Sequence, residues 1–143
     1  MRKRLILPVL ALVLALLLLS GCGGSGSGDY KDGTFTGKSS EDDRGAYGEI
    51  TITIADNKIT DCKYVTRQSD GTVKDEEYGK VNGEISNQDY YEKAQLAVKA
   101  MGQYARELVD VQKPADIDAV SGATIAYKQF IEAAGKALDE ARK

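Results

Sequence analysis

Asp118-Ala119-Val120-Ser121-Gly122-Ala123-Thr124 sets a hydroxyl behind two residues with almost no side chain, at the point where an apolar-periodic helix begins. Gly122 and Ala123 let another protein's active site, or a phosphate, come close to the backbone. The first turn of a helix leaves its N–H groups unpaired and carries the positive end of the dipole, so a phosphate fits there physically. Asp118 is not an obvious phosphate ligand, because a carboxylate beside a phosphodiester repels it unless a cation or a hydrogen-bond donor lies between. A plainer reading of the same residues is an ordinary helix cap, with Asp118 or Ser121 capping, Gly122 incidental and Thr124 on the surface.

Working outward, the helix is expected from near Ser121 to about Arg142, with Ala126, Phe130, Ala134, Ala137 and Ala141 as its inner stripe and Ile131 and Leu138 beside it. Before it, Lys113-Pro114 closes an earlier helix expected over about Gln88 to Val109, behind Ser86 and Asn87 as candidate caps. Its apolar positions Ala94, Val98, Met101, Ala105 and Leu108 recur at helical spacing. Tyr91 and Tyr104 either extend that face or line a ligand pocket, and core packing is the expectation for both. Further back, Tyr47 to Ala55 alternates, with Ile50, Ile52 and Ile54 on one face and Glu49, Thr51 and Thr53 on the other. A tight Asp56-Asn57-Lys58 connection leads to a returning strand, Ile59 to Arg67, whose broken parity asks for a bulge near Thr60 or Asp61. The polar stretch Gln68 to Lys80 reads as a long loop or a weak edge hairpin, and Ser39 to Arg44 as a loop. A short strand bracketed by glycines opens this part of the chain, within Asp29 to Gly37.

Asp118 to Thr124 resembles the flavinylation motif of the FMN-binding domain family, Asp-x-x-Ser/Thr-Gly-Ala-Thr, and every fixed position matches. Asp32-Gly33-Thr34-Phe35-Thr36-Gly37 is similar to the Asp-Gly-Thr-Tyr/Phe-Thr-Gly opening of the same family, so the two resemblances frame nearly all of the chain beyond its amino-terminal segment. The resemblance implies a small α+β domain in which an antiparallel sheet packs against two main helices and the flavin lies against the protein from a helix amino end. It implies that Thr124 carries FMN covalently through a phosphodiester made by a separate flavin transferase. Ser121, Gly122 and Ala123 then belong to the attachment motif, and Asp118 to the sequence that the transferase recognises. The ring would need an apolar or aromatic wall, and with no tryptophan present the candidates are the eight tyrosines and two phenylalanines.

Residues 1 to 21 read as an export signal: Arg2, Lys3 and Arg4, then an apolar run from Leu5 to Leu19, then small residues. That run of 15 residues is short of the roughly 20 that span a bilayer. Leu19-Ser20-Gly21-Cys22 resembles a bacterial lipobox, which implies cleavage before Cys22, acylation of its thiol and durable attachment to the lipid bilayer by several acyl chains. Residues 22 to 28 are then the lipidated cysteine and a Gly/Ser tether, reaching on the order of 15 Å. Residues 29 to 143 are the folded domain, of a size for one core.

Without residues 1 to 21 the chain carries 16 basic against 22 acidic side chains, a net charge of −6, which argues against nucleic acid as a partner. There is no histidine, and with Cys22 acylated only Cys62 remains as a thiol. Zinc sites, Ser-His-Asp triads, Cys-His pairs and an internal disulfide are thereby excluded. Cys62 reads as a small buried side chain. A chain lacking these tools that still acts in redox chemistry borrows a cofactor. The expectation is an electron carrier rather than an enzyme, lipid-anchored on the extracytoplasmic face of the cell membrane, with covalent FMN and membrane redox partners. The alternatives are a ligand-binding lipoprotein or surface antigen without redox activity, and a protein that holds FMN noncovalently.

Overall fold

The computed structural model describes residues 29–143. The expected export signal, Cys22 and the expected tether lie outside the described residues. Three strands, β1 (Gly33–Lys38), β2 (Tyr47–Ala55) and β3 (Lys58–Arg67), form an antiparallel sheet in the order β1-β2-β3. Two helices follow, α1 (Gln88–Val111) and α2 (Thr124–Ala141), separated by a short 3-10 turn at Pro114–Asp116. The expected α+β architecture is the one observed.

Strict alternation in β2 drives one sheet face inward: Ile50, Ile52 and Ile54 are buried, while Glu49, Thr51 and Thr53 face the other side. Each buried isoleucine contributes roughly 1.5–3 kcal/mol, so this face alone commits the sheet to a helical cover. The β2–β3 turn uses Asp56 and Asn57 at φ 51° and 62°, the left-handed pair that a two-residue hairpin turn requires. Thr53 pairs with Asp61 but Ile54 with Ile59, so Thr60 is the extra residue and the bulge falls where the parity broke. Gln112 stabilises this irregularity from outside the sheet. Its side chain accepts from Ile59 N at 2.8 Å and donates to Ile59 O at 2.9 Å.

Helix α2 covers β1 and β2, and α1 covers β3. The close approach of α2 depends on its small residues Ala133, Ala134 and Ala137, all fully buried, and on Gly37 of β1. A Cβ on Gly37 would stand 1.9 Å from the Ala133 carbonyl oxygen. Between the layers Phe130 is stacked on Tyr104, with ring centroids 5.4 Å apart, and meets Tyr64 edge-on at 5.2 Å. Tyr104 is therefore core, as expected. Tyr91 is only half-buried and donates its hydroxyl to Glu76 O at 3.1 Å.

Two element boundaries differ from expectation. Asn87 caps α1 by accepting from Tyr90 N, and the helix runs to Val111, where Gln112 in the left-handed conformation ends it. Helix α2 starts at Thr124 rather than near Ser121. Gly122 at φ 85° and the bond from Ala123 N to Val120 O make residues 120–123 a turn. Neither Asp118 nor Ser121 caps the helix, because its capping position is Ala123, with no side-chain cap bond.

The first and last described residues meet. Tyr30 bridges Arg142, Lys31 N donates to Ala141 O, and Lys143 N donates to Asp29 O. The beginning of the domain is thus fixed at the carboxyl end of α2, opposite the motif. Among the described residues, no helix is long and apolar enough to cross a membrane.

Candidate functional site

Two tyrosines hold the approach to the motif. Val120 N donates to the buried Tyr104 hydroxyl at 2.9 Å, and the Tyr127 hydroxyl donates to Ile117 O at 2.8 Å. Ile117 between them is buried and anchors the loop in the core. The turn at Gly122 then delivers Thr124, exposed, to the first position of α2. Because no side chain caps this end, the N–H groups of Thr124, Ile125 and Ala126 are left for solvent or a ligand.

Thr124 stands on the rim of a cleft of about 630 Å³, within the range of small-molecule sites. One wall is the start of α2, with Gly122, Thr124, Ile125 and Ala126. Ile125 is 61 % exposed, an apolar surface left uncovered beside the Thr124 hydroxyl. The cleft is also lined by Tyr78, from the loop after β3, and Tyr90, from the first turn of α1. The Tyr78 phenol is pushed up by burial and then by the neighbouring Tyr90 hydroxyl. At the floor lie Thr66, Ala46 and Gln129.

Both loops that frame the cleft are tied to helices. Gln95 Nε2 donates to Asp75 O at 3.0 Å and to Tyr78 O at 2.9 Å, fixing the Tyr78 loop against α1. Gly79, at φ 97°, packs where a Cβ would meet Ala94 Cβ at 2.8 Å. On the other side Glu132 of α2 accepts from Ser40 N at 2.9 Å, from Ser40 Oγ at 2.7 Å and from Lys136 Nζ at 2.8 Å. These bonds, Lys136 first, hold the Glu132 carboxyl down to about 2. Asp42, Asp43 and Arg44 at the mouth belong to the loop that this carboxylate secures.

Charge in the cleft is mixed. Lys74 is half-buried beside Tyr78, its Nζ 5.1 Å from the ring centroid, and burial lowers its pKa while Asp42 raises it. A partly desolvated cation of this kind favours an electron-rich or anionic occupant. The Gln129 side chain is 6 % exposed, and its Oε1 has no hydrogen-bond partner among the described residues. Thr66 is equally enclosed. Its N–H and its hydroxyl both donate to Met101 Sδ, at 3.0 and 3.1 Å, and sulfur is a weak acceptor. Apolar walls over an under-satisfied polar floor fit an aromatic ring with polar edges.

Of the residues singled out from the sequence, the structure places Gly122 and Thr124 on the cleft. Ala123 is buried beneath them, and Asp118 and Ser121 are exposed on the approach. Cys22 lies outside the described residues. Cys62 sits on β3, away from the cleft, and burial, then Asp61, pushes its thiol up to about 12, which keeps it protonated. Tyr78, Tyr90, Lys74, Thr66 and Gln129 were not singled out. The available signal was a tyrosine isolated in the polar Gln68 to Lys80 stretch, and a glutamine on the alanine-lined side of α2.

The model of the FMN-binding domain matches residues 45–139, about two thirds of the chain. The chain therefore belongs to the FMN-binding domain family, and FMN is the cofactor that this membership supports. A crystal structure of a Clostridium perfringens protein is similar to it, with 28 % identity and a TM-score of 0.61 over 78 % of this chain and 88 % of that one. A solution structure from Clostridium thermocellum is 29 % identical over 79 % of this chain and 93 % of that one, with a TM-score of 0.46. No curated protein matches the chain.

Proposed function

We propose that this chain is an extracytoplasmic electron carrier, lipid-anchored to the cell membrane through Cys22 and carrying FMN covalently on Thr124. The observation that carries the reading is the position of Thr124: an exposed hydroxyl at the uncapped head of α2, inside the attachment motif, on the rim of the cleft. When bound, FMN supplies one- and two-electron transfer.

The residues present fit that group, and each has a definable task. Thr124 offers the oxygen of the phosphodiester that a flavin transferase would form. The free N–H groups of the first turn of α2 and its dipole offset the phosphate charge. Tyr78, Tyr90 and Ile125 give an apolar wall that keeps water off a ring, and Lys74 brings positive charge to where a reduced, electron-rich ring would lie. A covalent link prevents loss of the cofactor outside the cytoplasm, and the lipid and tether raise the effective concentration of the carrier near membrane redox partners.

Intact-mass measurement tests the attachment. Protein exported by cells that contain a flavin transferase gains the mass of an FMN group, and Thr124→Val exported by the same cells does not. An unmodified wild type, or an adduct that persists in Thr124→Val, contradicts the proposal.

A further inference from the structure

We infer that Gln129 is the acceptor for the imide N–H of the flavin ring, which fixes the ring with its pyrimidine edge inward and its dimethylbenzene edge at the mouth of the cleft. This rests on the flavin reading above and adds an orientation to it.

The argument starts from one unpaired atom. Gln129 Nε2 donates to Ala46 O at 2.8 Å, and reversing the amide would set two oxygens against each other, so the remaining atom is an acceptor. Gln129 is nine-tenths buried, and that acceptor has no donor. A buried acceptor without a donor destabilises the fold, whereas a leucine at the same place would carry no such penalty. Its neighbours on the inner side of α2 are Ala126, Phe130, Ala133 and Ala137, all apolar, and the bond to Ala46 O uses only the donor half of the amide, so the fold gives no use for the acceptor half. A donor supplied by the occupant of the cleft does give one.

The chemistry of that occupant then selects the edge. An oxidised isoalloxazine ring has a single N–H, at N3, between two carbonyl groups. An acceptor on the floor takes that N–H. Thr66, with a hydroxyl held only by the Met101 sulfur, lies on the same floor as a donor for an adjacent ring carbonyl. The reach is suitable as well. Gln129 is five residues beyond Thr124, about 7.5 Å further along the helix axis, a span that the ribityl phosphate arm covers. With the imide edge inward, the dimethylbenzene edge is left for electron exchange with partners.

The test uses flavinylated protein carrying nitrogen-15-labelled FMN, comparing wild type with Gln129→Leu and with Gln129→Met, which is closer in shape. In wild type the N3–H resonance is observed at neutral pH. In both variants its exchange with water is at least tenfold faster. Thermal melting gives an independent readout: without flavin the variants lose only the bond to Ala46 O, which keeps Asp42 N as a donor, and FMN raises the wild-type Tm more than theirs. Equal N3–H exchange in all three proteins, or an equal loss of Tm with and without flavin, overturns the inference while leaving the adduct in place. A wild type that carries no adduct overturns the flavin reading and this inference with it.

Discussion

Gly122 stands at φ 85°, where a side chain is strained, and a Cβ there would meet Leu96 Cδ2 at 2.7 Å. The leucine tip can move aside, so the backbone conformation decides the cost. Gly122→Ala is expected to lower stability by about 1 kcal/mol, read from the urea midpoint of the domain. Gly122 is therefore a requirement of the turn before Thr124, and the capping part of the plainer reading fails, whereas its placing of Thr124 on the surface holds. Thr124 and Gly122 were legible as letters, because their roles are local. Gln129, Tyr78 and Tyr90 were not, since their meaning arises when α2, α1 and the loop after β3 converge on one cleft. The isolated sequence around Gln129 shows only a polar residue in a helix.

At the scale of elements, β1 approaches α2 through Gly37, whose missing side chain leaves room for the Ala133 carbonyl. No side-chain rotation relieves a clash with backbone. Gly37→Ala should therefore cost about 2–3 kcal/mol by overpacking, more than Gly122→Ala, and the two urea midpoints measured side by side check that order. The link between the loop at Ser40 and α2 is electrostatic instead. Glu132 is held at about 2 in the folded protein against an ordinary value near 4.5, so its stabilisation is complete above about 4.5 and is lost as pH falls toward 2. Across that window wild type should lose more stability than Glu132→Gln. Urea midpoints at pH 6 and pH 3 measure the difference, which is modest because the pair is partly exposed.

Element identity was largely readable from periodicity: β2 matched residue for residue, and the broken parity of β3 asked for a bulge near Thr60 or Asp61, which falls at Thr60. The start of α2 was misplaced because an apolar pattern extends through Val120 and Ala123 without revealing that Gly122 turns the chain. What ties the Ser40 loop to Glu132 and the Tyr78 loop to Gln95 was also hidden, since these are single side chains meeting across the fold.

Over the whole molecule, the cleft and the first described residue stand at opposite ends of α2. Its 18 residues span about 27 Å, with Thr124 at one end and the Asp29–Lys143 pairing at the other. Under the proposed anchoring through Cys22, a tether joined at Asp29 would carry the cleft outward from the bilayer. The account depends above all on the bond at Thr124. Protein purified from its own host, unfolded in guanidinium chloride and passed through a gel-filtration column, tests it most directly. The account predicts that yellow flavin absorbance travels with the polypeptide; a colourless chain, or pigment that elutes separately as a small molecule, would contradict it.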